Sequence, residues 1–292
     1  MTFIRFYFKP ENPVDYGKLE IKVEGNDFSE ILTENDRTVI EDNWDRLRKE
    51  RGDKVFSRPG GLGTLYEVKD GVFTFRPTEF KVYIAVTNSY EGRLLSPSVY
   101  DNMRISAVGA TLRLLDGSVF VHRRSPNVTH AKNMIDSSVA GLAPVDQLGI
   151  TIDFKKALLE KLKRELKITE AEVKRLDFRG VHSSYDPDFS AMFDFSMDVA
   201  LERGHIEERV DRSYFGEHFF VPSDKLPDFV VEHFANKRDM IGDGCANILA
   251  SLDDAVFRET VGLIRKGMDN GVIQFGRLEN GLFVPESPGL SL

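Results

Sequence analysis

Residues 105–124 read ISAVGATLRLLDGSVFVHRR, and this stretch decides the fold. Two strand-like runs, Ser106 to Leu115 and Ser118 to Arg124, are joined by Asp116-Gly117, which is the strongest short hairpin signal in the chain. The second run ends in two adjacent arginines. We therefore predict a β-hairpin whose second strand carries two positive charges at its end.

A short strand, a helix and a long strand follow this hairpin. Met134 to Ala140 is strand-like and ends at Gly141. Asp153 to Ile168 predicts an amphipathic helix, because its leucines share one face: Leu158, Leu159, Leu162 and Leu166. Phe189 to Leu201 alternates apolar and polar residues, which predicts a long strand with one face on the core.

The outer segments predict further α and β structure, so the expected fold class is α+β. Strands are predicted at Phe3 to Phe8, Lys18 to Val23 and Phe80 to Val86. A helix is predicted from Ser29 to Arg51, with Trp44 as its core anchor. Near the end we expect one or two helices, Asp243 to Lys266, and a hairpin, Val272 to Leu278 with Leu282 to Val284. Three parts result: an N-terminal α+β domain (1–104), a central domain (105–252) and a C-terminal helical extension with a hairpin (253–292).

Composition excludes several classes of protein. The chain has 292 residues and a formal net charge of −8, so it lacks the basic surplus that binds polymeric nucleic acid or an anionic membrane surface. Its one cysteine, Cys245, allows no internal disulfide and too few thiolates for structural zinc. The first ten residues lack the apolar run of a signal peptide. We expect a cytoplasmic protein that does not contact membranes.

The order of these elements resembles the Nudix family of nucleoside diphosphate hydrolases. The resemblance rests on four segments: Val108 to Leu112, Val119 to Ser125, Ser137 to Leu142 and Ala157 to Ile168. It implies an α/β/α sandwich, a small-molecule nucleotide as the partner, and Mg²⁺ or Mn²⁺ as the cofactor of an active member. The layout of the whole chain is similar to members that hydrolyse the nucleotide sugar UDP-glucose. A homodimer is a candidate assembly, but the sequence leaves the oligomeric state open.

The helix departs from the family pattern at its metal-binding carboxylates. Matching that pattern backward from Ile168 places Glu160 at the family's arginine, Lys161 and Arg164 at its first two glutamates, and Glu165 at the third. Lys167 replaces the glycine that follows. Residues 155–168 carry six cations and two acids, a local charge of +4. Mg²⁺ prefers anionic oxygen ligands, so two cations on this face would repel it.

Three interpretations of this helix follow. Its cations form a solvated face, as most charge runs do. Alternatively, Lys161 and Arg164 contact phosphates directly, in place of a metal. In the third interpretation Glu165 is a metal ligand and catalytic residue, helped by acids such as Glu160, Asp146 or Asp153.

Other residues are candidates for substrate binding. Arg123 and Arg124 could hold a phosphate, or lie on the surface at a strand end. Asp188 belongs to the segment 182–188, which we expect to be a loop after a strand, and turn chemistry alone explains its composition. Tyr90 could stack on a base. Cys245 is expected to be a buried, inert thiol.

Two functional hypotheses result, with a third in reserve. The first is a Nudix protein that binds a nucleoside diphosphate derivative of the nucleotide-sugar class and also hydrolyses its pyrophosphate. The second is an inactive Nudix domain that acts as a nucleotide sensor or interaction module, because Lys161 and Arg164 replace two metal carboxylates. The third is a domain that makes only protein contacts.

Overall fold

The structure combines α-helices and β-strands, which confirms the predicted α+β class. It is a computed structural model that describes residues 4–24, 27–52, 61–128, 131–146, 151–184, 189–268, 272–279 and 282–285.

The strands are β1 (Ile4–Phe8), β2 (Val14–Asp15), β3 (Glu20–Val23), β4 (Leu62–Lys69), β5 (Val72–Thr78), β6 (Ile105–Arg113), β7 (Ser118–Arg124), β8 (Ile135–Asp136), β9 (Val139–Leu142), β10 (Val173–Ser184), β11 (Ser190–Val199), β12 (Phe215–Pro222), β13 (Ile273–Glu279) and β14 (Leu282–Pro285). The α-helices are α1 (Glu34–Arg51), α2 (Phe80–Ser89), α3 (Pro97–Asn102), α4 (Phe154–Glu165), α5 (Arg203–Arg209), α6 (Leu226–Val230), α7 (Gly242–Ser251) and α8 (Asp254–Gly267). A π-helical segment, Val231–Asn236, continues α6.

Strand β6 lies at the centre of the sheet. Along one edge it pairs in parallel with β11, from Ile105 opposite Ser190 to Arg113 opposite Asp198. Its other edge pairs in succession with β4, β9 and β7. The predicted hairpin is present, because β6 and β7 pair antiparallel across a turn in which Gly117 has a φ of +79°.

Helix α4 covers one face of β6 and β11. Phe154, Leu158 and Leu162 on the helix pack in one core with Phe193 and Phe195 of β11. The predicted leucine stripe is therefore confirmed, although Leu159 is only partly buried. The helix ends at Glu165, three residues before the predicted end, and Lys167 then adopts a φ of +55°. That left-handed conformation favours glycine, which the Nudix pattern has at this position.

Helix α7 covers the opposite face of the sheet. The helix is buried from Gly242 to Ala250 and belongs to a second core with β1, β7, α6 and α8. The alternation predicted for β11 is confirmed, with Phe193, Phe195 and Met197 on the α4 side. The polar side is not simply solvated, however, because Asp194 is fully buried.

The N-terminal region differs from the prediction at Phe80 to Val86. This segment is the first part of helix α2, and the predicted strand there is wrong. Val82, Tyr83 and Val86 are buried at helical spacing, so packing outweighs the β propensity of their side chains. Trp44 on α1 is only partly buried and packs edge-on against Phe80, so it is not a core anchor.

The last part of the chain follows the prediction. The helical stretch forms two helices, α7 and α8, and β13 and β14 pair antiparallel. Strand β1 lies between β10 and β13 in the sheet, so N-terminal, central and C-terminal segments share it. The domain boundaries at residues 104 and 252 stay a prediction. In the described parts of the chain, no helix has the length and apolar character of a transmembrane span.

Replacing Phe193 with alanine tests the first core. Phe193 stacks on Phe154 at 3.9 Å between ring centroids and meets Phe73 edge-on at 5.0 Å. We expect the free energy of unfolding in urea to fall by about 3–5 kcal/mol, because the lost contacts leave a cavity. The control is Leu115→Ala at a residue that is 63% exposed, and this change should stay within about 0.5 kcal/mol. Equal effects of the two changes would contradict the core assignment.

Candidate functional site

Helix α4 carries Lys161, Arg164 and Glu165, which are predicted site residues, on the face of the sheet that it covers. The Asp153 carboxylate caps the helix by accepting a hydrogen bond from the backbone N–H of Lys156. Phe154, Leu158 and Leu162 form the buried stripe, and Glu165 continues it. Glu165 is therefore buried because of its position on the helix, and not because its side chain is apolar.

An internal ion pair neutralises the Glu165 carboxylate. Lys161 Nζ lies 2.7 Å from Glu165 Oε1, one helical turn earlier, and Arg164 Nη2 lies 3.1 Å from the same oxygen. The Glu165 side chain is 4% exposed and that of Lys161 is 17% exposed. Burial lowers the pKa of Lys161, and the nearby Glu165 carboxylate opposes that shift. A buried carboxylate with two cationic partners satisfies its charge within the protein.

A second ion pair lies next to this one on β7 and β8. Arg124 Nη1 donates to Asp136 Oδ2 at 2.8 Å, and Asp136 Oδ1 accepts from the backbone N–H of Ser137. His122, which pairs with Asp136 across the strands, is buried. Burial lowers the pKa of His122 to about 4, and the charges of Arg124 and Lys161 act in the same direction.

We call Arg124, Asp136, Lys161, Arg164 and Glu165 the Lys161 cluster. Three cations and two carboxylates leave it with one surplus positive charge, since His122 is neutral. Strand β9 closes one side, because a Cβ at Gly141 would lie 2.9 Å from Cδ of Lys161. The side chains of Arg124 and Arg164 are 26% and 46% exposed, so both extend to the solvent side of the cluster.

The cluster does not fit a divalent metal. Mg²⁺ and Mn²⁺ need several carboxylate or carbonyl oxygens at close range, whereas Oε1 of Glu165 faces two cations. Within the described residues, no group of three or more Asp, Glu, His or Cys side chains could hold a metal ion. Glu160, predicted as a catalytic partner of Glu165, is exposed and has no ion pair or hydrogen bond with any part of the chain that the structure describes.

Arg123 and Tyr90, two further predicted site residues, are not in this cluster. Arg123 donates to Asn133 O and Asp239 Oδ2, and also pairs with Glu217. Tyr90 packs edge-on against Tyr100 and Phe189 in a third core around α2 and α3. Asp188 lies outside the described residues. The proposed roles of these residues in substrate binding stay predictions.

A buried charged network on the α7 face was not predicted. His182 Nδ1 lies 2.8 Å from Asp194 Oδ2, and its Nε2 lies 3.3 Å from Asp243 Oδ1. Ser184 Oγ donates to the same oxygen of Asp243 at 2.5 Å. His182 and Ser184 belong to the end of β10, so the first three residues of the segment predicted as a loop are part of a strand. In the sequence, this network is indicated by Asp194, which lies at a polar position of the alternating strand predicted from Phe189 to Leu201.

Comparison with known proteins found no matching family model and no matching curated protein. Three solved structures are similar over part of the chain. The protein DR0079 of Deinococcus radiodurans has 17% identity over 53% of this chain and 83% of its own, with a TM-score of 0.36. The MutT protein of Methanosarcina mazei has 16% identity over 43% and 81%, with a TM-score of 0.30. The Nudix hydrolase RenU of M. smegmatis has 13% identity over 54% and 86%, with a TM-score of 0.32. With TM-scores below 0.5, these superpositions do not assign the chain to a family.

The two buried histidines should differ in charge. Burial alone would lower the pKa of His182, but Asp194 and Asp243 outweigh it and raise the pKa to about 10. Burial lowers the pKa of His122 to about 4. We therefore expect NMR signals of a protonated His182 ring and a neutral His122 ring throughout the range from about pH 6 to pH 8. A His182 signal that titrates near its ordinary pKa of about 6.5 would show that the two carboxylates do not hold its proton.

Proposed function

We propose that this chain is a Nudix-type protein that binds a nucleoside diphosphate derivative through the Lys161 cluster, without metal-dependent hydrolysis. The observation that carries the proposal is the 2.7 Å contact between Lys161 and Glu165. It places an internal cation on the carboxylate that a metal would have to use. The resemblance in the hairpin and helix segments supports the Nudix assignment, and the layout of the whole chain supports the nucleotide-sugar class of ligand.

The surplus charge supports an anionic ligand. Arg164, whose side chain is 46% exposed, can present N–H groups to a phosphate, which guanidinium groups favour as a partner, and Arg124 adds positive charge nearby. Lys161, which is more deeply buried than the two arginines, adds positive charge to the cluster, and Glu165 offsets part of this charge. A diphosphate would add negative charge where the cluster has a positive excess, so binding would improve the local charge balance.

Hydrolysis is the competing function. It requires Lys161 to leave Glu165 and further acids to approach a metal there, whereas Glu160 is exposed to solvent and has no side-chain contact with Glu165. The geometry therefore favours the sensor hypothesis over the hydrolase hypothesis. The predicted cytoplasmic location and the homodimer have no bearing on this choice and stay predictions.

Binding of UDP-glucose in EDTA tests the proposal. The variants are Arg164→Ala and the double change Lys161→Met with Glu165→Gln, which removes a cation without leaving Glu165 charged and unpaired. We expect Arg164→Ala to weaken binding by about tenfold, the cost of one charge-assisted contact. The double change removes one cation and one carboxylate and so keeps the surplus charge of the cluster, and it should weaken binding less than Arg164→Ala does. Lys163→Ala changes an exposed cation on the same helix and should leave the affinity unchanged. Isothermal titration calorimetry with UDP-glucose, UDP and other nucleotides measures the effect.

Three outcomes would contradict this proposal in different ways. Binding that EDTA abolishes, with unchanged affinity in the variants, would indicate a metal site. Release of UMP or glucose 1-phosphate with Mg²⁺ or Mn²⁺, lost in Glu165→Gln, would establish the hydrolase hypothesis. No thermal shift with any nucleotide would favour a domain that makes only protein contacts.

A further inference from the structure

A cavity of about 370 Å³ lies on the sheet face opposite helix α4. Its floor consists of polar residues of β6, β10 and β11, including Arg113, Arg179, Ser196 and Asp198. Ser196 and Asp198 alternate with Phe195 and Met197, which pack on the α4 side. The cavity is therefore separated from the Lys161 cluster by the thickness of the sheet. Its volume falls in the range of small-molecule sites.

Arg179 in this floor has no carboxylate in direct contact within the described residues, and Asp177 and Asp253 act on it only at longer range. Its side chain is largely buried, with the residue 8% exposed. Nε donates to Ser196 Oγ at 2.7 Å, and within the described residues this is the only hydrogen bond or ion pair of the guanidinium group. Its two terminal amino groups can thus donate to a ligand. Arg113 differs, because it pairs with Asp198 at 2.7 Å.

A second cation lies near Arg179, and in the part of the chain that the structure describes it has no carboxylate in direct contact. Lys9 Nζ donates to the carbonyl oxygen of Pro10, at 3.4 Å, and stands 5.1 Å from the centroid of the Phe257 ring. Burial lowers the pKa of Lys9, and the charge of Arg179 lowers it further. Burial likewise lowers the pKa of Arg179. Asp253 acts on both cations at longer range, Asp254 and Asp194 on Lys9, and Asp177 on Arg179. Within the described residues, none of these carboxylates contacts either cation directly, so the cost of burying the two cations is only partly offset.

The opposite wall of the cavity suits the remainder of a small molecule. Leu226, Pro227, Leu252 and Val256 supply apolar surface. Asp253, the residue before helix α8, supplies an exposed acceptor at the rim. A ligand there would place an oxyanion on Arg179, its carbon skeleton on the apolar wall and a hydroxyl or amino donor near Asp253.

We propose that this cavity, the Arg179 cleft, binds a small metabolite through a carboxylate or phosphate group held by Arg179. The site is independent of the Lys161 cluster, and the proposal does not depend on nucleotide binding. The shared chemistry is that of an oxyanion on a buried guanidinium group. Separate trials with phosphate and carboxylate probes distinguish the two kinds of ligand.

Thermal unfolding of the full chain tests the proposal. The probes are inorganic phosphate and citrate at about 20 mM, compared with chloride at equal ionic strength. We expect one of them to raise the Tm by about 2 °C or more, and Arg179→Gln to abolish the rise. The matched control is Arg175→Gln on the same strand, where the arginine is exposed and paired with Asp177. This control should respond like the wild type.

Two further variants keep the test decisive if Arg179→Gln folds poorly. Val256→Trp adds bulk at the rim, where Val256 is 38% exposed and lines the cavity, and should abolish the rise while leaving Arg179 intact. The double change at Lys161 and Glu165 should retain the rise, because it lies on the other face. The proposal is wrong if neither probe stabilises the wild type, or if Val256→Trp and any folded Arg179→Gln still respond.

Discussion

The burial of β6 on both faces is the constraint on which the rest of the structure depends. All residues from Ile105 to Leu112 are buried, so helices must cover both sides of this strand and of its neighbour β11. Any carboxylate on the covered faces then needs a partner within the protein. Glu165 on the α4 side obtains one from Lys161, and Asp194 on the α7 side obtains one from His182. The two helix layers thus use the same solution with different cations.

Lys161, the partner of Glu165, affects whether a metal ion could bind at the site. His182, the partner of Asp194, has no such effect. Lys161 lies one turn before Glu165, so this ion pair forms within α4 itself. The leucine stripe holds the helix in place, and Lys161 contributes to the charge on this side of the sheet. Fold similarity alone therefore does not determine the chemistry of the site.

Sequence reasoning predicted the elements that local signals determine. The Asp116-Gly117 turn, the leucine stripe of α4 and the alternation of β11 each depend on residues near in sequence, and each was confirmed. Phe80 to Val86 was assigned wrongly, because its β-branched residues favour a strand until the packing of α2 is known. The His182 network was missed because it joins β10, β11 and α7, and no local pattern brings these together. The choice between a solvated and a buried Lys161 also needed the position of Gly141.

Buried cations in the described residues differ in whether a carboxylate contacts them directly. Lys161, Arg124 and His182 each have a carboxylate at hydrogen-bonding distance, so folding offsets most of the cost of burying them. Arg179 is also buried, but within the described residues its guanidinium group is in direct contact only with the neutral hydroxyl of Ser196. A hydroxyl satisfies one N–H and none of the charge, and Asp177 and Asp253 act at longer range, so the unfavourable desolvation of Arg179 is only partly offset. An external anion in the cavity would supply the direct counterion that Arg179 lacks among these residues.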